Sequence, residues 1–164
     1  MFRPEIKVVD CTIRDGGLTN DSHFTLDTVR AVYKAVCDTG VDYVELGYRN
    51  SKKMFDPDSF GPWRFCDEEH LRQATDGIER GETKVCVMMD AHKSEPEDIL
   101  PCAESVVDVI RVATYVKDID RAILLANTAT GQGYRATINI MAISIEGSPF
   151  LDEALDQIEA ETTV

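Results

Sequence analysis

The chain predicts an α/β protein in which about five β-α units build a parallel sheet covered by helices. Three observations carry this. Strand-length apolar runs alternate with stretches of helical period along the whole length. The runs are too apolar for a sheet with one wetted face. Glycine and proline fall at the joints between them, with no composition shift or low-complexity linker dividing the chain. A single domain is expected.

The elements follow in order. Ile6-Lys7-Val8-Val9 reads as a buried strand bounded by turn residues. Leu26, Val29, Val32, Tyr33, Val36 and Cys37 recur at helical spacing, and Gly40 stops that helix. Val41 to Gly47 is the second strand, with Val44 and Leu46 bracketing Glu45. A long loop from Tyr48 to Cys66 holds Pro57, Gly61, Pro62 and the only tryptophan, Trp63; loops of that length are usually functional or mobile. Asp67 opens a helix through Leu71 and Ile78, and Thr83 to Asp90 is the third strand. A short acidic helix is expected over Glu95 to Glu104, with Pro96 in its first turn. Val106 to Ala113 is the fourth strand, and Asp118 to Asn127 a helix closed by Gly131-Gln132-Gly133. That glycine motif follows a helix and precedes a strand, the reverse of a phosphate loop, so it reads as a terminator. Ala136 to Ile145 is the fifth strand and Leu151 to Glu161 a final amphipathic helix.

Composition narrows the function. The 164 residues carry 30 acidic against 17 basic side chains, a formal charge of -13. Such a surface repels nucleic acid and anionic membrane, but a metal ion or a few arginines can reverse the sign locally for a small anion. No apolar run is long enough to cross a bilayer and no basic-then-apolar leader opens the chain, so a cytoplasmic protein is expected. Five scattered cysteines fit reduced, mostly buried thiols. His23, His70 and His92 form no metal-type pair. Met88, Met89 and Met141 read as packing.

The most telling segment is Val9-Asp10-Cys11-Thr12-Ile13-Arg14-Asp15-Gly16-Gly17. A glycine pair permits positive φ and a sharp turn, which would present Arg14 and Asp15 at the strand's C-terminal rim, where parallel α/β proteins bind ligands. There a carboxylate can hold a hard divalent ion, and a guanidinium can stabilise an enolate or bind a carboxylate substrate. Arg-Asp-Gly also occurs as an ordinary solvated turn. Glu45 either points into the site or forms a structural ion pair. Asp90 can simply cap the following loop, Asn139 can satisfy a core polar group, and Arg49 can meet a substrate carboxylate or only solvent.

Asp10 to Gly17, followed by Val44-Glu45-Leu46-Gly47-Tyr48-Arg49 and by Ile138-Asn139-Ile140-Met141, resembles the N-terminal part of the HMG-CoA lyase-like (DRE-TIM) metallo-lyases. The nearest branch is the aldolase catalytic domain type resembling 4-hydroxy-2-oxovalerate aldolase. The resemblance implies a TIM-type (β/α)8 barrel, which usually needs about 250 residues, so this chain would supply five of the eight units. It implies Asp15 as a ligand of a divalent ion (manganese, magnesium or similar), and Arg14 as the group that stabilises the enolate. Glu45 would be a second catalytic residue at the same rim. Arg49, Asp90 and Asn139, chosen by position, would join Arg14 in binding the oxo-acid substrate. Two departures stand out. The family's H-x-H metal ligands lie on a later strand, and its catalytic histidine after Arg-Asp-Gly is replaced here by Leu18.

The first reading is therefore a metal-dependent carbon–carbon lyase or aldolase acting on a 2-oxo or hydroxy-oxo acid, with activity of this chain alone in question. A truncated barrel is expected to leave two strand edges unpaired and an inner apolar face uncovered, which favours self-association. The rival readings are a non-catalytic half-barrel that partners itself or another subunit, and a self-contained doubly wound sheet with a ligand at its strand ends.

Overall fold

In a computed structural model that describes residues 3–164, five parallel strands form one sheet in the order β1-β2-β3-β4-β5. They are β1 Val9–Asp10, β2 Tyr43–Tyr48, β3 Lys84–Asp90, β4 Val109–Thr114 and β5 Arg135–Ile140. Between and after them lie α1 Thr12–Gly16, α2 Leu26–Thr39, α3 Glu68–Thr75, α4 Ile119–Gly131 and α5 Ser148–Glu161. Strand order equals chain order, with no reversal. That excludes the doubly wound sheet, which needs a switch point, and gives the curled half-barrel of a TIM-type fold.

The parallel register sorts the side chains. Val44, Leu46, Val85, Val87, Met89, Ile110 and Val112 lie on the outer face and are buried beneath helix residues Val29, Tyr33, Leu71, Ala122, Leu125, Ala126 and Ala129. Each such aliphatic side chain contributes about 1.5–3 kcal/mol through burial. The inner face is not the apolar surface expected. Glu45, Arg111, Arg135, Thr137 and Asn139 lie on it, beside Cys86, Met88, Val109 and Ala113. Strand residues facing a barrel interior need not be apolar when opposite charges meet there.

Side chains that meet across the sheet show how strongly it curls. Arg135 on β5 donates to the Tyr43 hydroxyl on β2 at 3.0 Å, and Arg111 on β4 donates to the Cys11 sulfur just after β1 at 3.7 Å. Three strand spacings on a flat sheet would separate each pair by about 14 Å at their bases.

Four expected elements differ. The first strand is only two residues long, and Ile6 and Val8 are 61% and 54% exposed; among the described residues β1 is an edge with β2 as its one strand neighbour, so the run before it stays largely in solvent. The Gly16-Gly17 pair does not take positive φ, since Gly17 sits at −60° after the short helix α1. The left-handed residues are Asp21 and Ser22 instead. The glycines make room: a Cβ on Gly16 would stand 2.9 Å from the Phe24 ring, and one on Gly17 3.1 Å from the Ser22 hydroxyl. The acidic helix over 95–104 is two 3-10 turns, Pro96–Asp98 and Cys102–Glu104, because Pro101 holds its predecessor out of helical geometry and offers no N–H. The fifth strand stops at Ile140, and Ala142 is left-handed before a 3-10 turn at Ile143–Ile145. The long loop is well packed: Trp63 is 1% exposed, with its indole N–H donating to the Phe24 carbonyl at 2.9 Å.

Candidate active site

At the end of β1 the Asp10 carboxylate accepts from the Thr12 amide (3.1 Å) and hydroxyl (2.9 Å), which turns the chain into α1. Ile13, buried in the core, anchors this single turn. Arg14 is thereby set above the inner face, where its Nε donates to Glu45 Oε1 at 3.0 Å. The other Glu45 oxygen takes Arg111 Nη1. Arg14 Nη1 also pairs with Asp15. The Glu45 side chain has no solvent exposure, against 15% for Arg14, 17% for Arg111 and 61% for Asp15. A lone buried carboxylate would be costly; two guanidiniums, one on each oxygen, offset its desolvation.

Cys11 completes the cluster, 3.8 Å from Glu45 Oε2. Burial first, then the Glu45 charge, pushes its thiol up against the pull of the arginines, so it is a poor nucleophile at neutral pH. Burial opposes the charge on Arg14, but Glu45, Tyr48 and Asp15 outweigh it and raise the guanidinium above its ordinary value. In a chain of formal charge -13, the inner face thus gathers Arg14, Arg111 and Arg135.

The structure brings Arg14, Asp15 and Glu45 together. Glu45 lies on the inner face and is ion-paired with Arg14 and Arg111. Asp90 and Asn139 share a level at the ends of β3 and β5 through the register of Ala113. The Asp90 carboxylate accepts from the His92 amide at 3.0 Å and pairs with Lys93 at 3.1 Å. Asn139 accepts from the Thr137 hydroxyl at 3.2 Å. Arg49 is turned elsewhere: buried, it donates to Glu68 at 2.7 Å and to the Cys66 carbonyl at 3.3 Å.

Sequence reasoning missed two members of the site. Arg111 interrupts an apolar strand exactly as Glu45 interrupts its own, and that shared pattern was the available signal. Tyr48, expected at the start of a loop, belongs to β2, and its ring lies 5.9 Å from the Arg14 guanidinium.

Among the described residues no group of three His, Cys, Asp or Glu side chains comes together to hold a metal ion. Asp15 is one exposed carboxylate already paired with Arg14. These residues do not by themselves build an ion site. No helix among them is long and apolar enough to cross a membrane.

A sequential parallel half-barrel with a charged cluster on its inner face defines a protein of the α/β-barrel class. More particularly, the chain is related to the 4-hydroxy-2-oxovalerate aldolases of the DRE-TIM family. It is 30% identical over 120 residues to 4-hydroxy-2-oxovalerate aldolase of Moorella thermoacetica, covering 73% of this chain and 35% of that one. It is 26% identical over 121 residues to 4-hydroxy-2-oxovalerate aldolase 6 of Rhodococcus jostii, covering 73% and 33%. Oxaloacetate decarboxylase of Mycobacterium tuberculosis matches at 22% over 134 residues, covering 82% and 38%. Among solved structures, the N-terminal domain of an aldolase-like protein from Bacteroides vulgatus superposes with a TM-score of 0.76 at 30% identity, covering 93% of this chain and 52% of that one. The chain spans about a third of the length of the curated relatives it matches. No family model matches it.

Proposed function

We propose that this chain supplies the enolate-stabilising part, the first five β-α units, of a metal-dependent carbon–carbon lyase acting on a 2-oxo or hydroxy-oxo acid. The observation that supports it is the buried Glu45 carboxylate shared by Arg14 and Arg111 on the inner face. Glu45 takes Arg14 through Nε, and Asp15 takes one Nη1 proton. A guanidinium carries five N–H donors in a fixed fork, so others remain for a substrate oxygen. In cleavage of a 4-hydroxy-2-oxo acid, the hydroxyl proton leaves to a base and the C3–C4 bond breaks. Its electron pair moves to the C2 carbonyl as an enolate, which Arg14 stabilises, and the aldehyde departs; protonation at C3 then gives the shorter 2-oxo acid. Asp90 and Asn139 face the substrate in this reading, whereas Arg49 serves the scaffold through Glu68. A divalent ion belongs to it only with Asp15 as one ligand and the others supplied from outside these residues.

The test is release of pyruvate from 4-hydroxy-2-oxopentanoate by the purified protein, with and without manganese or magnesium, alongside binding of pyruvate followed by NMR. Arg14→Lys should lower release by about a hundredfold or more, because a point charge does not replace the fork. Full release and binding by Arg14→Lys would overturn the reading. A non-catalytic half-barrel that assembles with a second chain is favoured by one observation: Ile145, Phe150 and Leu155, in and before α5, are 81%, 64% and 49% exposed. Tight association on light scattering, with no pyruvate binding, would move the choice there.

A further inference from the structure

Arg64 is a buried cation without a counterion. It is 7% exposed, no carboxylate lies within ion-pair reach of it among the described residues, and its buried Nε has no hydrogen-bond partner. Its guanidinium lies instead over three aromatic rings: Tyr48 at 4.9 Å, Phe60 at 5.0 Å and Phe55 at 5.4 Å. Ring faces are negative, so they compensate part of the lost hydration. A packing role alone would be met more cheaply by an apolar side chain, since burying a charge without a partner is costly.

The Tyr48 ring is within reach of both cations, Arg64 and Arg14. It reaches the inner face by a break in the ladder. The register between β2 and β3 shifts between Glu45 and Tyr48, so Tyr48 rather than Gly47 pairs into the row that holds Met88. Strict alternation from Glu45 would have put Gly47 on that face. A bulge of this kind re-aims a side chain. The loop that carries Arg64 holds it in place: a Cβ on Gly47 would stand 2.1 Å from the Trp63 carbonyl oxygen and 2.7 Å from the Cys66 sulfur. Bulge, loop and buried cation act on one ring.

We propose that Arg64 is a positioning residue: it holds the Tyr48 ring against the Arg14 guanidinium and so fixes the direction of Arg14 at the inner rim. The inference rests on reading Arg14 as the group that meets the substrate anion, but its consequence for Arg14 is visible without turnover. Arg64 touches no substrate in this scheme. It acts on Arg14 through Tyr48, while Glu45 holds the Arg14 Nε directly.

The experiment follows the Arg14 Nε–H signal by proton–nitrogen NMR on the whole protein, assigned by its loss in Arg14→Lys. In the unaltered protein this proton is bound to Glu45 and should exchange slowly with solvent. Arg64→Leu should move or broaden the signal and speed its exchange by about tenfold, with cooperative thermal unfolding retained, and Arg64→Lys should restore most of it because an ammonium still sits on a ring face. Tyr48→Leu, with Arg64 intact, should reproduce the Arg64→Leu result and serves if that variant fails to fold. An Arg14 signal that is already unprotected in the unaltered protein, or that stays unchanged in Arg64→Leu or Tyr48→Leu, would overturn the proposal. Absence of lyase activity with this NMR response intact would count against the proposed function alone.

Discussion

Glu45 shows how one side chain can govern a site. Its two oxygens are divided between Arg14 and Arg111, so neither guanidinium can take it bidentately and both keep donors free. Glu45→Gln retains the shape and removes the charge, leaving two mostly buried cations around a neutral amide. Loss of one partner in a buried pair is costly, and unfolding in urea, read by Trp63 fluorescence, should show a loss of about 2–3 kcal/mol with an unchanged slope. A loss below about 0.5 kcal/mol would mean that water screens the cluster as on a surface. The neighbouring thiols are inert by the same burial: desolvation pushes Cys66 and Cys86 up to about 12. Glu45 was legible as a candidate because a charge between Val44 and Leu46 is out of pattern. Its partner on β4, 66 positions away, was not, since no local rule says which distant strand will face it.

At the scale of elements, β1 depends on a side chain for part of its ladder. The two-residue strand is extended by Asp42, whose carboxylate accepts from the Val8 amide at 3.0 Å and from Lys7 at 2.8 Å. The Lys7 hydrogen bond, then that of the Val8 amide, lowers the Asp42 pKa below its ordinary 3.8. Because the folded value is the depressed one, this tether is present above the ordinary carboxylate value and is lost as pH falls through the depressed value. Exchange of the Val8 amide should therefore accelerate, relative to amides of β3, only below about pH 4. In Asp42→Asn that acid transition should vanish. An unchanged transition in the variant would assign it to another carboxylate. The 95–104 segment teaches a related point. Its acidic composition and Pro96 suggested a helix start, but Pro101 lies five residues later, too close for α-helical bonds to establish themselves.

For the whole molecule, charge and curvature oppose each other. Excess acidic side chains, 30 against 17 basic, repel one another across the surface, while the inner face concentrates arginine. Raising sodium chloride from about 10 mM to about 150 mM shortens the Debye length from roughly 30 to 8 Å and should raise the melting temperature by relieving that repulsion. The buried Glu45 cluster is screened much less. A falling melting temperature would show that surface ion pairs such as Lys34–Asp38 and Lys52–Asp67 outweigh the net charge.

Periodicity and punctuation alone determined the β-α alternation and the outer apolar face with its helices, because each depends on neighbours within about one or two turns of chain. Tertiary structure alone decided the polarity of the inner face, the pairing of Glu45 with Arg111, the placing of Arg49 against Glu68, and the register shift that turns Tyr48 inward between Arg14 and Arg64. Those arise when a curling sheet brings strands dozens of residues apart into contact, and when the backbone at Gly47 passes so close to the Trp63 carbonyl that no side chain could stand between them.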